Sequence, residues 1–226
     1  MSMPFYVAPE QMMKDRADYA RKGIARGRSL VAAIYGGGVL LCAENPSRML
    51  RKVSEIYDRI GFAGVGKYNE FDQLRIAGVR SADLKGFAFS REDVDARTLA
   101  NQYAQMLGQV FTHEMKPMEV EILVAEVGRE RAEDQLFHIR YDGTLVDESD
   151  WCVLGGEAEA IGERLGAVWN GDDDLGAMLR AATSALAGPD RTIPADQLEV
   201  AVLDRTRDHR TFRRVEDDEV SSLLQG

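Results

Sequence analysis

The chain has 226 residues, enough for one fairly large domain or two small ones, and no stretch within it reads as a linker. Its 45% apolar and 29% charged residues suit a soluble globule, and its net charge of −10 argues against a nucleic-acid binder, whose basic excess it lacks. The N-terminus shows no basic region followed by a long apolar core, and no run approaches the roughly 18 apolar residues of a membrane span, so neither membrane nor nucleic acid is expected as a partner and a cytoplasmic location is.

The first predicted element is a helix over roughly 9–26. Pro9 suits the first helical position, Glu10 favours the positive end, and Arg21, Lys22 and Arg26 load the C-terminal end ahead of Gly27. Met13, Ala17, Ala20 and Ile24 give it one narrow apolar face. LVAAIY (30–35), GGG (36–38) and VLLCAE (39–44) form a hairpin, apolar on both faces of both arms and therefore expected to be central and covered on each side. KVSEIY (52–57) and RIGFAGVG (59–66) form a second strand pair. Residues 67–86 read as a helix with Phe71, Leu74 and Gly78 on one face, and 95–115 as another with Leu99, Tyr103, Met106 and Val110, ended by Pro117.

Strands return at MEVEILVAEV (118–127), where Val120, Ile122 and Val124 alternate with glutamates, at a hairpin over 135–149 turning at Asp142-Gly143, and at WCVLGG (151–156). Helices follow at 157–169 and 174–188, then the connection AGPDRTIPADQ (187–197), strands at 198–206 and 211–215, and a terminal helix near 216–225. The strands come as hairpins and not as alternating βαβ units, which predicts antiparallel sheets. The fold class is α+β: a four-layer α/β/β/α sandwich of two antiparallel sheets, with an extra N-terminal helix.

Residues able to do chemistry are sparse. Cys42 and Cys152 lie in apolar segments and read as buried free thiols, which by themselves cannot hold zinc. His113, His138 and His209 are far apart, lack ligand spacing, and read as surface or helix-end residues. No metal and no cofactor is expected. There is no G-x-S-x-G elbow, and GVGKYN (64–69) lacks phosphate-loop spacing and reads as a strand-to-helix turn.

Four stretches, GRSLVAAIYGGGVLLCAEN (27–45), KVSEIYDRIGFAGVGKYNEF (52–71), ANQYAQMLGQVFTHEMKPMEVEILVAEV (100–127) and YDGTLVDESDWCVLGG (141–156), resemble the proteasome core family in the same order, and more closely its actinobacterial α type. The resemblance runs over roughly residues 2–216. It implies the N-terminal nucleophile hydrolase fold and one α-type domain over 1–226: a gating tail 1–8, the N-terminal helix 9–26, a sandwich core 29–216 and a C-terminal end 217–226. In proteolytic members the first strand begins with a threonine whose hydroxyl attacks the peptide carbonyl and whose free amine serves as base. The pattern puts Arg28 at that place, Glu44 at its acid and Lys52 near its lysine. Arginine has no hydroxyl and stays protonated, so no catalytic residue is assigned. Two alternatives stand: a self-processed amide hydrolase exposing Ser29 or Cys42, at the expense of the helix 9–26 or of the second strand, and a nonproteolytic scaffold ring.

The resemblance further implies a noncatalytic subunit of a threonine protease complex in ATP-dependent protein degradation. Identical α subunits would form a heptameric ring capping proteolytic β-type subunits, with unfolded protein substrates in transit. A hexameric proteasomal AAA ATPase or other activator would dock by its C-terminal tails, their carboxylates pairing with Lys52 in a pocket that Gly64 and Val65 also match. Ser2, Met3, Pro4, Phe5, Tyr6 and Val7, in an uncharged segment with two aromatics, would form the gate as seven copies converge. The face of Met13, Ala17, Ala20 and Ile24 would pack on the sheet and on a neighbouring copy. The Tyr-Asp-Arg gating motif of archaeal and eukaryotic α subunits is absent.

Overall fold

The computed structural model describes residues 8–226, so the gate residues Ser2, Met3, Pro4, Phe5, Tyr6 and Val7 lie outside the described residues. In chain order the elements are α1 (Pro9–Ile24), β1 (Leu30–Tyr35), β2 (Gly38–Glu44), β3 (Val53–Tyr57), β4 (Ile60–Gly66), α2 (Tyr68–Ala88), α3 (Ala96–His113), β5 (Val120–Glu126), β6 (Gln135–Ile139), β7 (Leu145–Glu148), β8 (Trp151–Leu154), α4 (Ala158–Gly166), α5 (Leu175–Ala187), β9 (Leu198–Asp204), β10 (Phe212–Val215) and α6 (Asp217–Gln225). This is the predicted order. The strands lie in two antiparallel sheets, β10-β9-β2-β1-β8 and β3-β4-β5-β6-β7.

The first hairpin is central, as its two apolar faces require. Tyr35 pairs with Gly38 across a turn of Gly36 and Gly37. Gly38 has φ +143°, and a Cβ there would stand 2.0 Å from the Leu203 carbonyl oxygen of β9, so only glycine lets β9 pair along β2. On β1, Leu30, Ala32 and Ile34 turn inward to Ala63, Val65 and Leu123 of the second sheet. Val31, Ala33 and Tyr35 turn outward to Met178, Leu179 and Ala182 of α5. On the second sheet Phe62, Ile122, Val124 and Phe137 face Leu74, Tyr103 and Leu107 of α2 and α3. Helix pairs therefore cover both outer faces, giving the four-layer sandwich.

Three details depart from the sequence reading. The buried face of α3 is Leu99, Ala100, Tyr103 and Leu107, while Met106 stays 42% exposed. Tyr103 sets this rotation, because its hydroxyl donates to the Leu74 carbonyl of α2 at 3.0 Å. The glutamates of MEVE do not simply face water: Glu119 is buried, and beyond Glu121 the same face of β5 continues into the inter-sheet core as Leu123 and Ala125. His138 is neither a surface nor a helix-end residue. It lies within β6, paired on both sides, and is 6% exposed.

Helix α1 begins at Pro9 and carries Glu10 in its first turn and Arg21 and Lys22 in its last. Ala20 and Ile24 close one end of the inter-sheet core. Arg16 donates to the carbonyls of Val110 (3.2 Å) and Glu114 (2.5 Å) at the C-terminal end of α3, where unpaired carbonyls favour a cation. Among the described residues no helix is long and apolar enough to cross a membrane.

Candidate functional site

Arg28 and Ser29 join α1 to β1. Strand pairing has already begun there, since the Glu44 amide donates to the Ser29 carbonyl at 3.2 Å. The Arg28 guanidinium reaches the carboxylate of Glu44, the last residue of β2, at 2.6 Å. Glu44 is 4% exposed and receives a second guanidinium, that of Arg191, through two bonds of 2.9 Å. A buried carboxylate held by two arginines is fully partnered, and the bond to Glu44 raises the pKa of Arg191.

Lys52, immediately before β3, brings its ammonium to the same junction, where Nζ donates to the Arg28 carbonyl at 2.5 Å. Its backbone N–H donates to the Glu199 carboxylate at 2.8 Å, and the Val53 N–H does so at 3.3 Å. Glu199, on β9 and 4% exposed, also accepts from Asn45 Nδ2 at 2.7 Å and from Arg214 at 2.8 Å. Burial lowers the pKa of Lys52 to about 8, against the opposing pull of Glu199 and Glu44, and Arg28 adds to the lowering. An ammonium has three donors, one of which the Arg28 carbonyl takes. A cleft of about 500 Å³ opens beside the junction, lined by Gly27, Arg28, Ser29, Glu44, Gly156 and Arg191.

The fold thus brings together Arg28, Glu44 and Lys52, three positions the sequence singled out. The arrangement can hold a cation and two satisfied carboxylates. It offers no free amine beside a hydroxyl, because the chain runs on from Arg28 into α1 and Cys42 is buried inside β2. Gly64 sits on β4, its N–H donating to the Lys52 carbonyl at 2.9 Å, and a Cβ there would meet the Phe71 ring of α2 at 2.7 Å. Glycine at this place lets α2 lie close to the strand that holds Lys52. The Val65 side chain is fully buried in the inter-sheet core, so it can offer only backbone. Of the α1 face, Ala20 and Ile24 are buried in the same core and Ala17 packs against it, while Met13 is half-buried.

Sequence reasoning missed Glu199, Arg191, Arg214 and Asn45. The one available signal was an acid inside the apolar strand LEVAVLD (198–204), since a charge on a strand covered on both faces needs a partner. It also missed two exposed apolar regions. One is a cleft of about 710 Å³ that includes Met12, Tyr19, Met115 and Pro117 beside α1. The other is Leu84, Phe87 and Phe89 at the end of α2, exposed by 70%, 92% and 78%.

The sequence matches that of known proteins. A family model described as Proteasome subunit matches residues 24–203. The chain is 64% identical over 224 residues to the Proteasome subunit alpha of Acidimicrobium ferrooxidans, covering 99% of this chain and 97% of that one. It is 59% identical to that of Sanguibacter keddieii, covering 99% and 90%, and 53% identical to that of Kineococcus radiotolerans, covering 100% and 99%. The chain belongs to the proteasome subunit family, and within it to the α type.

Proposed function

We propose that this α-type subunit forms the noncatalytic entry ring of a compartmental threonine protease, gating access to a chamber of β-type subunits and docking an activator at Lys52. The observation that carries this reading is the junction at Arg28. The Arg28 guanidinium, bonded to the buried Glu44 and preceded by helix α1 with Pro9 in its first turn, takes the place that the resemblance gives to the nucleophile of a proteolytic subunit. At this junction no hydroxyl stands beside a free amine, which supports assigning the peptide chemistry to a β-type partner. Residues 1–226 act as one domain whose tail, 1–8, serves as the gate, and the work is cytoplasmic.

Two surfaces support the assembly. Contiguous exposed apolar groups mark interaction sites. Exposed Met12, Tyr19 and Met115, with half-buried Met13, are available around α1 to meet a neighbour in a heptameric ring, because Ala20 and Ile24 are already buried within the subunit. Leu84, Phe87 and Phe89 suit the contact with the β-type ring. At Lys52 two donors of the ammonium remain for the C-terminal carboxylate of a hexameric ATPase, a charge-assisted capture.

The test is reconstitution with the cognate β-type subunit and ATPase. Wild-type protein should give stacked rings that degrade unfolded protein with ATP. Lys52→Ala should assemble equally well yet lose about 1.5–3 kcal/mol of docking, roughly ten- to a hundredfold. Unchanged ATP-dependent degradation by that variant would refute the docking role. Intact mass decides the alternative hydrolase: a mature chain starting at Ser29 would overturn the noncatalytic reading.

A further inference from the structure

One side-chain cluster lies outside all of this. The β7–β8 connection carries the chain from one sheet to the other, and at this crossing three metal-binding side chains converge. They are His138 from β6, Glu148 at the end of β7 and Cys152 on β8. One ligand atom from each lies within 4.8 Å of the others, and His138 Nδ1 is 3.8 Å from the Glu148 carboxylate. On the other side of the ring Nε2 is 3.8 Å from the Glu121 carboxylate of β5.

These distances are too long for hydrogen bonds. His138 is 6% exposed and Cys152 is 2% exposed, and Nε2 is a buried polar atom with no hydrogen-bond partner. A buried Nε2 without a hydrogen bond is costly, and the flanking carboxylates at 3.8 Å reach the ring by charge only when it is protonated. The set joins a thiol, an imidazole and a carboxylate. That mixture suits a borderline-soft divalent ion of the zinc type and not calcium or magnesium. The second carboxylate stands where metal-bound histidines commonly direct their other nitrogen. The charged groups lining the adjoining cleft of about 470 Å³ are Glu121, Asp142, Glu148 and Glu159 against Arg21 and Arg140, besides His138 itself. The balance favours a cation, and the cleft provides its path.

We propose that His138, Glu148 and Cys152 form a divalent transition-metal site that clips the two sheets together, with His138 Nδ1, a Glu148 oxygen and the Cys152 thiolate as ligands and Glu121 accepting from His138 Nε2–H. Metal–ligand bonds of about 2.0–2.3 Å require the three side chains to draw together by roughly an ångström. The cleft that His138, Glu148 and Cys152 all line leaves room for water as a fourth ligand. Binding displaces the Cys152 thiol proton and any proton on Nδ1. The clip joins β6 and β7 of one sheet to β8 of the other, so it holds the crossover.

The test is titration of the chelator-treated full chain with Co²⁺, followed by displacement with Zn²⁺. The expected result is one ion per chain, a thiolate-to-cobalt charge-transfer band in the near ultraviolet, and a rise in the thermal midpoint with Zn²⁺. Cys152→Ser should abolish the band, and Cys42→Ala should leave it. Glu148→Gln, at a partly exposed position, should weaken binding at least tenfold, and Glu121→Gln about ten- to a hundredfold. Circular dichroism on each variant establishes that it is folded. No charge-transfer band in the folded wild-type chain, or a band that survives Cys152→Ser, would overturn the site.

Discussion

Two polar clusters border the inter-sheet core, and the fold completes one and leaves the other open. At the start of β1 every buried carboxylate is fully partnered: Glu44 by Arg28 and Arg191, Glu199 by Asn45, Arg214 and two backbone amides. At the start of β8 the His138 ring sits between two carboxylates at 3.8 Å without a hydrogen bond from Nε2. The first cluster pairs guanidinium and ammonium groups with carboxylates and backbone and leaves no buried acid unsatisfied. The second has capacity left over. A complete buried network gives rigidity, whereas an incomplete one leaves a buried polar group unpaired at a cost in stability.

The contrast can be broken by mutation. Glu199→Ala has the largest expected effect: it leaves Arg214, Asn45 and two amides without their acceptor, and should cost about 3–5 kcal/mol, read as a fall in the denaturation midpoint at constant m-value. A loss below about 1 kcal/mol would mean that the network is not closed.

The next effect is on pH. Only the ammonium form of Lys52 pairs with a carboxylate, and burial sets its pKa at about 8. Affinity for a carboxylate-ended activator peptide should therefore be flat below about pH 7 and fall roughly tenfold per unit above about pH 8, as expected for loss of one proton. The stability sign runs the other way. A lysine whose folded pKa lies below its usual 10.5 binds fewer protons in the folded chain between about 8 and 10.5, so this group's contribution to stability rises with pH across that window. Isothermal titration of the assembled ring checks the first, and chemical denaturation against Lys52→Met checks the second.

In metal-free buffer His138→Leu should cost only about 1 kcal/mol, because Glu121 and Glu148 are partly exposed and can hydrate. A cost equal to that of Glu199→Ala would erase the difference between the clusters. Arg28→Ala should be the mildest, within about 0–1 kcal/mol. Its guanidinium is more than half exposed, and Glu44 keeps both bonds to Arg191. Neither this variant nor Arg28→Thr should gain peptidase activity in a fluorogenic-peptide assay, since α1 still occupies the amine that the chemistry requires.

Much was legible from residue order. Apolar runs on both faces of 30–35 and 39–44 placed the first hairpin at the centre, and the hairpin spacing of the strands predicted antiparallel sheets. These are local facts: strand periodicity and turn glycines. A helical period fits two neighbouring faces of α3 nearly equally, and the packing of Leu99, Tyr103 and Leu107, with the bond from Tyr103 to α2, selects the one that leaves Met106 exposed.

What the tertiary structure alone decided is which distant charges meet. Glu44 with Arg191 and Lys52 with Glu199 are each 147 residues apart, and His138, Glu148 and Cys152 share no ligand spacing along the chain. Pairing partners across sheets are set by strand order and register, which follow from how the two apolar faces stack. A sequence states that a buried acid or histidine must find a partner. The stacking of the two sheets decides which one it finds, and whether it finds one at all.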